Sequence, residues 1–133
     1  MRTKNIFLTI GLLSSLLISS CEKEKETVNQ PNSLLMKSWT HSYEENTEKD
    51  IEIYRPSDYL EFPMSWYRQI YIFGENNFCQ YRVLAPNDAH YMKNGSWEYF
   101  ENKQIINIFN EDHEIIFELK VVELSEDVLK LKK

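Results

Sequence analysis

Residues 96–132 read SWEYFENKQIINIFNEDHEIIFELKVVELSEDVLKLK, and this closing stretch decides the fold. Apolar side chains recur at every second place: Trp97 and Tyr99, then Ile115, Phe117, Leu119 and Val121, then Leu129 and Leu131. Glu98, Glu118, Lys120, Lys130 and Lys132 fill the alternate places. A period of two puts the two sets on opposite faces of an extended strand. The polar links Glu101-Asn102-Lys103, Asn110-Glu111-Asp112 and Leu124-Ser125-Glu126 are of hairpin length. Parallel neighbours need crossovers of a dozen residues or more, for which this stretch has no room. Its strands, at 96–100, 104–109, 113–123 and 127–132, are therefore expected to run antiparallel.

Working upstream, the same pattern predicts strands at 77–84, 69–73, 50–54 and 38–45. Cys79, Tyr81 and Val83 share a dry face against Gln80 and Arg82, and Trp39, His41 and Tyr43 share one against Thr40 and Ser42. One opening helical turn is expected at 33–37, with Ser33 as its N-cap. The prediction is an all-β domain: an antiparallel eight-stranded meander, one face dry and one wet, forming a single sheet rolled on itself or packed on another behind a short N-terminal helical turn. Strands of about five residues reach only about 17 Å, so a barrel built from them would be short or incomplete and its interior shallow. Two connections are long. Residues 55–68, RPSDYLEFPMSWYR, are too apolar for a mobile loop and are expected to pack over something; residues 85–95, APNDAHYMKNG, read as an open rim loop.

The chain of 133 residues is one domain's worth, with a net charge of −6. Arg2 and Lys4 are the only charged residues among the first 20, and removing them takes the charge to −8. That balance argues against a nucleic-acid groove or an anionic membrane surface, either of which needs clustered Lys and Arg. A hydrophobic content of 42%, with 14% aromatic, excludes wholesale disorder.

The first 21 residues, MRTKNIFLTIGLLSSLLISSC, open with a short basic segment and an apolar stretch from Ile6 to Ile18. Thirteen helical residues cover about 20 Å, short of the roughly 30 Å of a bilayer core. Residues 1–20 therefore read as a signal peptide. Ile18-Ser19-Ser20-Cys21 resembles the lipobox of bacterial lipoproteins. That resemblance implies that Cys21 is acylated, that the signal is cut before it, and that two or three acyl chains anchor the protein to a membrane. An ordinary secretory signal followed by a chance cysteine is the plainer reading. Residues 21–32 form a charged, flexible tether before the domain at 33–133. Glu22 is not the aspartate that resembles an inner-membrane retention signal, so the expected address is the outer membrane, on its periplasmic face or at the cell surface.

Lys37-Ser38-Trp39 entering the first strand, Gly95-Ser96-Trp97-Glu98-Tyr99 in mid-chain and the closing hairpin ending in Leu129-Lys130-Leu131 resemble the small lipocalin-like domains of bacterial lipoproteins. The resemblance implies a barrel whose closed end is plugged by Trp39, although Lys37 stands where the family's glycine would be. It also implies a mouth that takes up a small apolar or amphipathic ligand.

Chemistry-bearing motifs are sparse. His41, His90 and His113 have no partner at metal-ligand spacing, so no metal site is expected. Glu111-Asp112-His113-Glu114 reads as a solvated turn. With no nucleophile elbow, phosphate loop or Ser-x-x-Lys, neither an enzyme nor a cofactor is expected. Cys79 is left single once Cys21 is lipidated and reads as a small buried hydrophobe. The aromatic load supplies the candidate ligand contacts, namely Trp66, Tyr81, Trp97, Tyr99 and Phe117. The alternative is a structural, interaction or inhibitor module whose barrel is filled by its own side chains. A contiguous apolar cavity of several hundred Å³ would favour binding, and aromatic side chains meeting across the axis would sink it.

Overall fold

The computed structural model describes residues 32–133; the expected signal peptide, Cys21 and nearly all of the expected tether lie outside the described residues. Eight strands form a closed antiparallel barrel: β1 (Ser38–His41), β2 (Ile51–Pro56), β3 (Ile70–Phe73), β4 (Phe78–Leu84), β5 (His90–Phe100), β6 (Ile105–Phe109), β7 (Ile115–Leu124) and β8 (Leu129–Lys132). A 3-10 turn, Tyr43–Glu45, follows β1, where the sequence predicts continued strand.

From β3 to β8 each strand pairs with the next, as expected. The first hairpin departs from the meander. β1 lies between β2 and β3, and the barrel closes through β2 on β8. Both β2 and β3 run antiparallel to β1 and hence parallel to each other, so the chain must return the full length of β1 between them. Residues 57–69 make that return, and they meet the length a crossover demands. Two ion-pair clamps hold this strap and the 3-10 turn to the barrel. Arg68 donates to the His41 and Pro63 carbonyls and grips Glu44 with both guanidinium nitrogens. Arg55 binds Glu45 through Nε and Nη2 at 2.9 and 2.8 Å.

Other boundaries move for local reasons. The opening segment is a turn rather than a helix, and Asn32, not Ser33, caps it by accepting from the Leu34 N–H at 3.0 Å. The 85–95 segment is mostly strand, because β5 starts at His90 and pairs with β4 from there to Ser96. In β7 the register slips opposite Ile108 and Phe109, which turns Ile115 out to solvent and takes it off the face it was expected to share with Phe117.

Gly95 marks a close approach of two strands in the wall. A Cβ there would lie 2.1 Å from the Phe109 carbonyl oxygen and 3.1 Å from the Tyr81 ring, so only glycine lets β5 pass so close to β6. At the Asn76-Asn77 turn both residues have positive φ, 54° and 61°, and Phe78 N–H donates to the Glu75 carbonyl. That is the left-handed pair that suits the twist of a two-residue hairpin.

The two ends of the barrel differ. At the closed end Leu35 and Trp39 are fully buried, and the Trp39 indole N–H donates to the Leu35 carbonyl at 3.0 Å. Phe73, Cys79, Trp97 and Leu129 pack above them in one cluster. The other end, where β1 and β8 finish and β2, β3 and β7 begin, is open.

Candidate functional site

At the open end lies a cavity of about 440 Å³. His41 of β1, Glu52 and Tyr54 of β2, Tyr71 of β3, Phe117 of β7 and Leu131 of β8 bound it, and Tyr67, Gln69 and Lys133 stand at its rim. Register explains the inward set. Tyr54 is opposite His41 and Leu129, Glu52 is opposite Leu131, and Phe117 is opposite Ile108, all on the interior face.

The cavity is a cup rather than a shaft, because side chains fill the barrel below it. Tyr71 and Phe117 come from strands on opposite sides of the barrel, and their rings meet edge to face at 5.6 Å. Phe117 also meets Tyr81 at 5.8 Å, and Phe73 tilts against Trp97 at 4.9 Å. Edge-to-face pairs at these distances are the geometry that ring quadrupoles favour. The waist of the barrel is thus closed by aromatic contacts across the axis.

Polar groups converge on the wall between β1 and β2. The Tyr54 hydroxyl donates to Glu52 Oε2 at 3.0 Å, and Lys133 Nζ lies 2.9 Å from Glu52 Oε1. The His41 ring stacks on Tyr54 at 4.9 Å, and its Nε2 is 3.2 Å from the Asn46 amide. Burial holds His41 below its usual value, with Lys133 and Arg68 pushing the same way and Glu52 opposing. Burial raises the Tyr54 and Tyr71 hydroxyls, reinforced by the negative charge of Glu52, so both remain protonated donors. On the rim the Tyr67 hydroxyl lies 2.9 Å from Gln69 Oε1 and 3.1 Å from the Arg82 carbonyl.

The five residues expected to contact a ligand are dispersed. Phe117 lines the cup. Tyr81 lines a second cavity of about 330 Å³ on the β4–β5 side, with Tyr91, Lys93 and Glu111. Trp97 and Tyr99 are buried in the wall of the filled half, and the Trp97 indole donates to the Gly74 carbonyl at 3.1 Å. Trp66 is 67% exposed on the strap, its ring edge-on to His90 at 6.3 Å. The strap and the start of β5 therefore meet at the mouth, through Trp66, Tyr67 and His90.

Among the described residues no group of three or more His, Cys, Asp or Glu is placed to hold a metal ion. Glu111–Glu114 forms the β6–β7 turn, in which Asn110 Oδ1 accepts from the Asp112 and Glu114 N–H groups. Cys79 is buried, and burial pushes its thiol up to about 12.

The chain matches no family model, no curated protein and no solved structure.

The sequence alone does not single out Glu52, Tyr54, Gln69 and Tyr71. A signal was present for two of them: Glu52 shares its alternation with Tyr54 two residues on, which puts a carboxylate on the dry face of a strand. Gln69 and Tyr67 reach the mouth only because the strap crosses over, which no alternation encodes.

Proposed function

We propose that this chain is a lipid-anchored protein of the bacterial cell envelope whose barrel, lipocalin-like in strand number and in its tryptophan-plugged end, binds a small amphipathic molecule at its open mouth. The observation that carries the reading is the cup of about 440 Å³, within the range of small-molecule sites, with aromatic rings at its base and a carboxylate and hydroxyls on one wall. An apolar base with a few convergent polar groups suits a ligand with an apolar body and a polar head. The filled waist confines such a ligand to the mouth. Anchorage rests on the lipobox-like Ile18-Ser19-Ser20-Cys21. No helix among the described residues is long and apolar enough to cross a membrane, which is compatible with attachment by lipid.

Native mass spectrometry of protein purified from its own envelope tests the binding reading: a co-purifying small molecule released by mild activation is the expected result, and a bare protein argues against it. The Tyr71–Phe117 contact across the axis favours a second reading, an accessory or inhibitory module acting through its outer surface, to which the bare result would point. Cys21→Ala is expected to move the protein from the membrane to the soluble fraction; retention in the membrane would contradict lipid anchorage.

A further inference from the structure

We propose that the cup selects organic monocations of the alkylammonium type, with the Glu52 carboxylate holding the charge; this rests on the cup's being a small-molecule site. Glu52 is the acidic side chain that strand alternation turns into the barrel at the mouth, opposite Leu131. Oε2 is engaged by the Tyr54 hydroxyl, which fixes the carboxylate. Oε1 is engaged by Lys133, a residue just beyond β8 whose side chain is 64% exposed. Lys133 thus places an ammonium group on the carboxylate from the solvent side. The base beside it is built of Tyr54, Tyr71 and Phe117, with Tyr67 at the rim, and aromatic faces attract organic cations.

Charge accounting separates the possible head groups. An alkylammonium can replace Lys133 at Oε1 while Lys133 turns into water, so every charge stays paired or solvated. An anionic head would draw Lys133 away and sit over an uncompensated Glu52, which costs more the drier the site. A neutral head leaves the ion pair intact and gains only contact. Arg68, behind His41, is committed to Glu44 and to carbonyls and does not serve as an anion receptor. The remaining charged residues at the mouth, Glu118 and Lys132, are of opposite sign. The expected order is cation, then neutral, then anion.

Three probes of nearly equal size test this on the purified full chain: choline, its neutral isostere 3,3-dimethylbutan-1-ol, and the anion 3,3-dimethylbutanoate, each titrated by NMR. Choline is expected to bind at least about tenfold more tightly than the alcohol, with the anion weakest. Glu52→Gln should erase the difference between choline and the alcohol. Lys133→Ala, at an exposed position that leaves the core untouched, should tighten choline several-fold by removing the competing ammonium. Equal binding of all three probes, or an unchanged choline affinity in Lys133→Ala, overturns the cation assignment while leaving the small-molecule cup standing. Failure of all three to bind overturns both.

Discussion

Gly95 and Arg68 show how much of the barrel rests on single residues. At Gly95 the Phe109 carbonyl occupies the place of a side chain, so Gly95→Ala must push β5 and β6 apart. It is expected to cost about 3 kcal/mol or more, read as a lower urea midpoint with an unchanged slope. Arg68, 7% exposed, binds two carbonyls and a carboxylate and lies under the Tyr43 and Phe62 rings at 4.5 and 5.4 Å. Arg68→Ala should cost about 2–3 kcal/mol, and Arg68→Lys should recover little, because a point charge cannot reproduce the fork. Cys79, with its thiol pushed up to about 12 by burial, is expected to resist iodoacetamide at pH 8 in the native protein and to react on unfolding. Rapid native alkylation would show a more open wall than the structure describes.

At the scale of elements, the 3-10 turn and the strap are latched by carboxylates, and this sets the acid response. Hydrogen bonds from Arg68 hold the Glu44 carboxyl down to about 2, against an ordinary 4.5. A carboxyl depressed on folding contributes stability that is present above pH 4.5 and lost as pH falls towards 2. His41 is also depressed, chiefly by burial, so the unfolded chain takes up its proton first and stability erodes as pH drops below 6.5. Urea unfolding is expected to show falling stability from pH 7 to 3. His41→Asn should flatten the upper part of that profile and Glu44→Gln the part below pH 4.5; curves parallel to wild type would contradict these assignments. The strands from β3 onward were legible because Cys79, Tyr81, Trp97 and Phe117 alternate with polar residues between short turns. The order of β1 was not, because both faces of Ser38–His41 look the same whichever neighbour it pairs with. The length of 57–69 permitted a crossover, but apolar residues such as Phe62 and Trp66 in an aperiodic stretch reveal only that it packs, not where. Bulges left no mark either, and Ile115 reads as core until the register slips beneath it.

Across the whole molecule, the sequence indicated a short barrel with a shallow interior, and the structure puts that shallowness at one end. Trp39 and Leu35 seal the closed end, rings from β3, β4, β5 and β7 close the waist, and the cup lies where β1 stops at His41 and β8 at Lys132. Aromatic content pointed to ring contacts but did not separate filler from lining, since Trp97 and Phe117 obey the same alternation and both stand opposite Ile108. The most direct test is a crystal structure of the protein purified from its own envelope. Non-protein density is expected between Glu52, Tyr71 and Phe117, above an intact Tyr71–Phe117 contact. An empty cup, or density below that contact against Trp97 and Cys79, would contradict it.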